Sequence, residues 1–316
     1  MAIFLSEADV QELLPMERAL ERVEASLLQQ HRGTAVNRSR ERILLPHTSL
    51  HYMAAALTEE GMLGMKVYTV SRETLRFMVL LYDAENGELL ALLEADHLGR
   101  LRTGAASGVA TKYMARPDAS RLGLIGSGWQ ACTQLEAVSR VRKLNAVKVF
   151  SRNEARRREF CREMSENLQL AVEPAADAET AARFGDIVVT ATTSREPVLR
   201  GAWLRLGTHV NAIGANMLNR RELDDEALAR AGVIAVDSIE QAREEAGDLA
   251  HGLTARPDGW DDIVELHEIV SGATAGRCAE DDVTVFKSSG IALWDVAAAG
   301  YVYRSALERE KGRKVG

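Results

Sequence analysis

Residues 121–152 read RLGLIGSGWQACTQLEAVSRVRKLNAVKVFSR. An apolar run at 122–125 leads directly into a glycine turn, and a second apolar run follows at 146–150. The residues from Trp129 onward predict a helix between the two runs. Two short apolar runs joined by a helix are typical of parallel strands with a helical crossover. The stretch therefore predicts a strand, a tight turn, a helix and a second strand of an α/β domain.

The turn has the spacing G-x-G-x-x-A, from Gly126 through Gly128 to Ala131. Gly126 permits the tight turn, and Gly128 lets the backbone come close to a pyrophosphate. A helix that begins at Trp129 presents free N–H groups and a partial positive charge to the same anion. In this strand-turn-helix context, the spacing predicts a nicotinamide dinucleotide site of the Rossmann type.

Ser151, Arg152 and Asn153 follow the second strand. An acidic side chain at this place would accept hydrogen bonds from the ribose 2′-hydroxyl and would repel a 2′-phosphate. This chain has no carboxylate there and has the guanidinium of Arg152 instead. The sequence therefore predicts that NADP(H) is preferred over NAD(H).

The order of apolar runs predicts two different sheets. Between residues 43 and 94, short apolar runs are separated by turn signals, which is typical of a mostly antiparallel sheet. From residue 121 onward, strands alternate with helices, which predicts a parallel sheet. The predicted parallel strands lie at 122–125, 146–150, 187–190, 209–213 and 233–236.

Three helices are predicted outside the alternating region. Ser6 and Asp9 have the spacing of a capping box, and helical spacing of apolar residues continues to about residue 30. Residues 103–116 are rich in alanine and other small residues, which indicates a closely packed helix. The tail at 291–308 is also predicted to be helical.

Composition excludes several classes of function. The chain has 316 residues, 46% of them hydrophobic and 27% charged, and its formal net charge is −7 with no basic cluster. This balance is typical of a globular enzyme and argues against a nucleic-acid or anionic-membrane partner. The three cysteines are far apart, so neither a disulfide framework nor a metal site is expected. The absence of a signal-like or membrane-spanning segment favours a cytoplasmic location.

Four motifs in order resemble one family over nearly the whole chain, the ornithine cyclodeaminase/mu-crystallin family. They are RTGAAS at 102–107, GSGWQA at 126–131, NAIGAN with RELD at 211–224, and TVFKSSGIA at 284–292. The resemblance implies a Rossmann NAD(P)-binding domain at 118–290, inserted in an α+β domain formed by 1–117 and 291–316. That outer domain would bind the substrate and form a homodimer. It further implies NAD(P)-dependent chemistry at a carbon bearing an amine or imine.

The resemblance also implies that Arg40, Lys66 and Arg102 surround the α-carboxylate of the substrate. Cationic clamps suit this task, since guanidinium groups bind carboxylates in a planar, bidentate manner. Lys66 lies inside an apolar run at 65–70, where a solvated lysine is unexpected. Burial beside two guanidinium groups would push the lysine toward its neutral form and make it a proton donor or acceptor near neutral pH.

Further cofactor contacts are implied by the same resemblance. Together with the residues of the glycine turn and of the second strand's end, the expected set is Thr74, Arg102, Thr103, Gly126, Ser127, Gly128, Trp129, Gln130, Ser151, Arg152, Asn153, Thr192, Arg220 and Ser288.

The chain departs from the family's cyclodeaminases at Asn216, where those enzymes have an aspartate that handles the substrate amine. An amide donates and accepts hydrogen bonds but does not take up a proton in the physiological range. A reductase has less need of a base there, because the C=N bond can enter already protonated and an amide can orient its nitrogen. The sequence therefore predicts an NADPH-dependent reductase of a ketimine such as a cyclic imino acid, with Lys66 and Asn216 as its catalytic pair.

Three alternatives remain open at this point. An amino-acid dehydrogenase of the alanine-dehydrogenase type would use the same groups. An ornithine cyclodeaminase would need another base, for example Glu59 or Asp224. A mu-crystallin-like protein would bind NADPH and a ligand without catalysis.

Overall fold

A computed structural model of the chain describes residues 1–71, 75–255 and 258–315. The chain forms two compact units, and the first is discontinuous in sequence. The first unit comprises Met1–Ala106 and Gly290–Gly316, and the second comprises Ser107–Ser289.

The helices and strands are numbered along the chain. Residues 1–106 contribute β1 (Ala2–Leu5), α1 (Glu7–Leu13), α2 (Met16–His31), β2 (Ala35–Asn37), β3 (Glu41–Leu44), β4 (Thr48–Leu57), β5 (Met62–Ser71), β6 (Leu75–Asp83), β7 (Leu89–Glu94) and the start of α3 (Asp96–Met114). The second unit continues with β8 (Arg121–Ile125), α4 (Trp129–Val141), β9 (Ala146–Phe150), α5 (Glu154–Leu168), β10 (Val172–Pro174), α6 (Ala178–Phe184), β11 (Ile187–Thr190), β12 (His209–Ala212), α7 (Asp225–Ala229), β13 (Ala231–Val236), α8 (Ile239–Glu245), α9 (Gly247–Gly252), β14 (Ile263–Glu265), α10 (Leu266–Ser271) and β15 (Val283–Lys287). The last residues form α11 (Ala292–Glu308) and β16 (Arg313–Val315).

The first unit is built on one mostly antiparallel sheet, as the sequence predicted. Its strand order is β16-β1-β7-β6-β5-β4-β2, with β3 beside β4. Strands β4 to β7 pair antiparallel in sequence order, while β1 and β7 are parallel. Helix α11 packs on one face of β4, β5 and β6 and also against α2. The core of this unit therefore lies between the sheet and these helices.

Helix α11 is buried on nearly all sides. Trp294 and Val296 are fully buried, and the small residues at 297–300 let the helix come close to the sheet. At Gly300, an added Cβ would lie 2.6 Å from Met62 Sδ on β5. A helix that is apolar all round belongs in the interior of a protein. Its single buried carboxylate, Asp295, is therefore an exception that needs a partner.

The second unit contains a fully parallel sheet of eight strands in the order β10-β9-β8-β11-β12-β15-β13-β14. From β8, the strands β9 and β10 extend the sheet on one side, and β11 and β12 extend it on the other, so the strand order reverses between the neighbours β8 and β11. Apolar clusters cover both faces of this sheet. In sheets of this kind, ligands bind outside the carboxyl ends of the strands, at the point where the order reverses.

Five strands of the second unit end in one row. Ile125 pairs with Thr190, Thr190 with Ala212, Ala212 with Lys287, and Lys287 with Val236. The loops that follow these residues therefore meet at one edge of the sheet. The glycine turn and the loops that carry Thr192, Asn216 and Ser288 all begin at this edge.

Most of the predicted elements are present, and the capping box at Ser6 is formed as predicted. Two expectations were incomplete. The helix predicted at 103–116 begins earlier, at Asp96, because the carboxylate of Glu7 accepts hydrogen bonds from the N–H groups of Asp96 and His97. Strands β10, β14 and β15 were not predicted; the first two have only three residues each, and β15 lies inside the motif at 284–292.

Within the described residues, none of the helices combines the length and apolar character that crossing a bilayer requires.

Candidate active site

The first unit contains a buried cluster of charged side chains. Lys66 on β5 and Arg102 on α3 are 3% and 5% exposed, and Asp295 on α11 is fully buried. One carboxylate oxygen, Asp295 Oδ1, accepts hydrogen bonds from both Lys66 Nζ and Arg102 Nε, each at 2.9 Å. Three elements that are distant in sequence thus bring two cations to one anion.

Arg40 belongs to the same cluster through Gly290. Arg40 is 6% exposed and its Nη2 donates to the carbonyl oxygen of Gly290 at 3.1 Å. An added Cβ on Gly290 would lie 2.7 Å from Arg102 Nη1, so this glycine allows the two guanidinium groups to approach the same backbone segment. The structure thus brings together Arg40, Lys66 and Arg102, the three residues predicted to bind a carboxylate.

Arg102 and Asp295 each have one buried polar atom without a hydrogen-bond partner among the described residues. These atoms are Nη1 of Arg102, a donor, and Oδ2 of Asp295, an acceptor. An unsatisfied buried polar group is costly, and in native proteins it usually indicates a ligand or a water. The cluster is therefore suited to a ligand that offers an anionic acceptor.

Burial lowers the pKa of Lys66 to about 8, while the charge of Asp295 raises it and that of Arg102 lowers it. Arg40 lowers the pKa further. The lysine can therefore hold or release a proton near neutral pH, as a general acid or base requires.

An aromatic row lies beside the lysine on the same face of the sheet. His51, Tyr68 and Phe77 are paired across β4, β5 and β6, with ring centroids 4.6 Å and 4.7 Å apart. Lys66 Nζ lies 4.9 Å from the centroid of the Phe77 ring. Burial, with help from Arg42 and Arg40, lowers the pKa of His51 to about 4, so this row is uncharged at neutral pH.

The glycine turn in the second unit has the geometry that the sequence predicted. Gly126 has a φ of +120°, and an added Cβ would lie 2.4 Å from the carbonyl oxygen of Ala191 on the neighbouring loop. Nothing lies within 4 Å of an added Cβ at Gly128. No side chain caps the N-terminus of α4, and a helix N-terminus presents a partial positive charge to an anion. The turn therefore fits a pyrophosphate.

The ends of β8 and β9 are joined by a hydrogen bond between hydroxyl groups. Ser127 Oγ and Ser151 Oγ are 2.7 Å apart. Asn153 caps α5 by accepting from the N–H of Arg156 at 2.9 Å, and Arg152 beside it is exposed. The predicted residues for the adenosine end of the cofactor therefore lie next to the glycine turn.

Glu222, a buried glutamate, holds the loops after β11 and β12 together. One of its oxygens accepts from the N–H and hydroxyl of Thr192, at 2.7 and 2.8 Å. The other accepts from the hydroxyl of Thr190 and the N–H of Gly214, at 2.9 and 2.6 Å. Burial raises the pKa of Glu222, and the charge of Lys287 lowers it. Thr192 is thereby fixed at the edge of the sheet where the glycine turn lies.

Lys287 and Asp237 fix the next two loops. Lys287 Nζ donates to the carbonyl oxygen of Ala215, directly before Asn216, and lies 3.5 Å from Asp248 Oδ2. Asp237 Oδ2 accepts from the hydroxyl of Ser288 at 3.0 Å and from the N–H of Ser289 at 2.8 Å. Asn216 and Ser288 thus occupy loops that buried charges hold in place.

The other predicted contacts are located as follows. Thr103 is buried on α3 and its hydroxyl donates to the carbonyl oxygen of Gly99. Trp129 is exposed and Gln130 half-buried at the start of α4, and Arg220 is half-buried in the loop after β12. Thr74 lies outside the described residues.

The two carboxylates considered as substitute bases are both engaged elsewhere. Glu59 is exposed and pairs with Arg32 through two hydrogen bonds. Asp224 caps α7 by accepting from the N–H of Ala227 and also accepts from that of Gly201.

The sequence reasoning missed Asp295, Glu222 and Asp237. A usable signal existed for Asp295, because a lone carboxylate in the apolar stretch 292–300 (ALWDVAAAG) is unexpected in a buried helix. Glu222 lies within the RELD motif, but its partners come from loops that only the sheet brings together.

A parallel sheet with a glycine turn at its switch point, and a separate cationic cluster, define the class of Rossmann-fold oxidoreductases. A model of the ornithine cyclodeaminase/mu-crystallin family matches residues 1–310. The chain belongs to this family.

Relatives cover most or all of the chain. A Delta(1)-pyrroline-2-carboxylate reductase of Bacillus cereus is 40% identical over 261 residues, 80% of each chain. An alanine dehydrogenase of Archaeoglobus fulgidus is 33% identical over 322 residues, 99% of this chain and 98% of the relative. The Thermococcus litoralis Delta(1)-pyrroline-2-carboxylate reductase, solved in complex with NADH and L-proline, is 36% identical, covers 99% of this chain and 100% of its own, and has a TM-score of 0.94.

These findings confirm the predicted family and fold class. They also confirm the predicted enzyme class, an NAD(P)-dependent oxidoreductase that acts on CH–NH and C=N groups.

Alanine substitutions at the two glycines of the turn should have different effects. Gly126→Ala combines an unfavourable φ with a backbone clash, so we expect a loss of about 1–3 kcal/mol in the free energy of unfolding. Gly128→Ala should fold normally but weaken NADH binding by about tenfold or more, because its methyl group would occupy the space for the pyrophosphate. Urea unfolding and fluorescence titration with NADH measure the two effects.

Ser139→Ala is the control, because this hydroxyl only bonds back to the carbonyl oxygen of Glu136 within α4. Normal NADH binding by Gly128→Ala would contradict the assignment of the turn.

Proposed function

We propose that this protein is an NAD(P)H-dependent reductase of cyclic 2-imino acids with a five- or six-membered ring. The observation that carries the proposal is the buried cluster of Arg40, Lys66 and Arg102, in which Lys66 and Arg102 share the carboxylate of Asp295. Two guanidinium charges and a lysine exceed the single negative charge of Asp295, and Nη1 of Arg102 has no partner among the described residues. A substrate α-carboxylate supplies the missing anion and the missing acceptor.

The aromatic row of His51, Tyr68 and Phe77 supports a ring-shaped substrate. The three rings form an uncharged wall beside Lys66. Flat aromatic faces provide apolar contact area for a small ring at little conformational cost. A strongly cationic substrate side chain would be desolvated there, with Arg40 and Arg42 nearby to repel it.

Reduction fits the chain's residues better than cyclodeamination. Asn216 offers an amide where a cyclodeaminase needs a base, and Glu59 and Asp224 are already engaged by Arg32 and by the N-terminus of α7. A reductase needs a group that orients the C=N bond and, where the imine binds in its neutral form, a proton for the nitrogen of the product. Lys66 Nζ holds such a proton, and the Asn216 amide would orient the nitrogen.

The glycine turn would hold the pyrophosphate of the cofactor, and Ser127, Ser151 and Asn153 its adenosine end. Thr192 and Ser288, fixed by Glu222 and Asp237, would line the remaining edge of the sheet. When bound, the nicotinamide supplies the hydride. These residues bind and orient it, and Arg40, Lys66 and Arg102 hold the substrate.

NADP(H) is the proposed cofactor. Arg152 is exposed beside the N-terminus of α5, and no acidic residue stands among Ser151, Arg152 and Asn153. A guanidinium group at this place would pair with a 2′-phosphate.

A homodimer is proposed from the outer face of the first unit's sheet. The residues that alternate with the inward-facing ones on β4 to β7 are apolar and half-buried: Tyr52, Ala54, Ala56, Met65, Val67, Met78, Leu80 and Leu92. Helix α11 covers the opposite face. A contiguous apolar sheet face of this kind is typical of a subunit interface. Three cysteines that lie far apart in the sequence fit a reducing compartment, and we propose a cytoplasmic location.

The function is tested by following the oxidation of NADPH and NADH with five- and six-membered cyclic 2-imino acids, and with pyruvate plus ammonia or methylamine. Formation of proline from ornithine and NAD is measured in parallel. We expect the cyclic imino acids to be turned over fastest, and Lys66→Met to lower kcat/KM by about a hundredfold or more. Faster turnover of pyruvate plus ammonia would indicate an alanine-dehydrogenase type of enzyme. Proline formation from ornithine would refute the argument from Asn216, and tight NADPH binding without any hydride transfer would indicate a binding protein.

Arg152→Ala should weaken NADPH binding by about ten- to a hundredfold, because one charge-assisted hydrogen bond to the 2′-phosphate is lost. NADH binding should stay the same. The matched control is Arg158→Ala, an exposed arginine on α5 that pairs with Glu154. Calorimetric titration of both cofactors gives the dissociation constants, and an unchanged NADPH constant in Arg152→Ala would overturn the preference.

Leu80→Arg should convert the dimer to monomers, since it brings a charge into the centre of the apolar sheet face. Leu206→Arg, at a leucine that is 64% exposed in the second unit, is the control and should remain dimeric. Sedimentation velocity measures the mass of each variant, and circular dichroism checks that both are folded. A wild-type monomer, or a Leu80→Arg dimer of unchanged stability, would contradict the proposed interface.

A further inference from the structure

Asp295 is the one carboxylate that hydrogen-bonds to the proposed catalytic lysine among the described residues. It lies in the first turn of α11, where the helix dipole favours a negative charge. Its Oδ1 accepts from Lys66 Nζ and from Arg102 Nε, both at 2.9 Å. The carboxylate therefore lies against an ammonium group and a guanidinium group at once.

The groups that face Lys66 come from several elements, and two of them repel its positive charge. Arg102 on α3 and Arg40 before β3 are positive, and His51 on β4 is uncharged at neutral pH. Phe77 on β6 presents the face of its ring. Among these groups, Asp295 alone stabilises the ammonium by a negative charge.

The position of the ammonium group also depends on this contact. An added Cβ on Gly99 of α3 would lie 2.9 Å from Lys66 Nζ, so the helix backbone approaches the ammonium from one side. The Phe77 ring lies on another side at 4.9 Å. The bond to Asp295 fixes the remaining freedom of a long, flexible side chain.

The same contact divides the donors of Arg102. Nε is engaged by Asp295, while Nη1 is buried without a partner in the part of the chain that the structure describes. An arginine held at Nε presents its outer nitrogens in a fixed plane, as bidentate recognition of a carboxylate requires.

We propose that Asp295 is a positioning residue that keeps Lys66 protonated before reduction and turns the outer nitrogens of Arg102 toward the substrate carboxylate. This inference rests on the proposed reductase function. In this inference, the proton on the product nitrogen comes from the ammonium group of Lys66. The carboxylate of Asp295 on α11 stabilises the positive charge of that ammonium. Hydride from the cofactor and this proton together convert C=N into CH–NH, which leaves Lys66 neutral until it takes a proton from solvent.

The test compares the pH dependence of kcat/KM in the wild-type enzyme, Asp295→Asn and Asp295→Glu. In the wild type, activity should fall as the pH rises through about 8, where Lys66 loses its proton. Loss of the negative charge in Asp295→Asn should lower the pKa of Lys66 and move this fall to lower pH by about one to two pH units. Asp295→Glu keeps the charge and should leave the position of the fall unchanged, even if the extra methylene group lowers kcat.

A purely structural role would give a different result. Asp295→Asn would then lose activity or thermal stability while its high-pH limb stayed in place, and this outcome would overturn the proposal. NADPH affinity is measured in each variant and should remain within about twofold of the wild type. Where Asp295→Asn does not fold, Asp295→Ser removes the same charge with a smaller side chain.

A second readout does not depend on activity. The ¹³Cε resonance of Lys66, assigned with the Lys66→Arg variant, is titrated in the wild-type protein with labelled lysine. An inflection near the pKa of about 8 supports the proposal, and a lysine that is already neutral well below that pH refutes it. Because this titration needs no substrate, it stays informative if the wild type fails to reduce any imino acid, which would refute only the proposed function.

Discussion

The bond from Asp295 to both Lys66 and Arg102 is the interaction on which the candidate substrate site depends. A lysine and two arginines cannot be buried together without a compensating anion, since each charge loses its hydration. Helix α11 supplies that anion from its first turn, and the other residues at 292–300 are apolar or glycine and buried. The helix therefore has two tasks: it completes the hydrophobic core of the first unit and sets the charge of the cluster.

The second unit uses the same principle at the edge of its parallel sheet. Five of its strands end in one row, and the loops after β11, β12 and β15 are held by hydrogen bonds to buried ionisable side chains. Glu222 fixes the loops after β11 and β12, Lys287 the backbone before Asn216, and Asp237 the loop with Ser288. Buried, fully bonded charges give loops a defined position, which a binding site for a long cofactor needs.

The sequence predicted much of this fold because its patterns are local. Strands β9 and β11 have the predicted bounds, and the glycine turn has the positive φ at Gly126 that its spacing indicated. Strand β15 was missed although its motif was recognised, because its five buried residues include Thr284 and Lys287 and so do not form an uninterrupted apolar run. The start of α3 was missed because the group that caps it, Glu7, is 89 residues away in sequence from Asp96.

The sequence by itself determined the dinucleotide turn, the two kinds of sheet and the family, since each depends on spacing within a few residues or on short motifs in order. It also identified Arg40, Lys66 and Arg102 as one group. Only the tertiary structure decided which anion Lys66 and Arg102 share, because Lys66 and Asp295 are 229 positions apart. Their contact results from sheet register and helix packing, and a local pattern encodes neither.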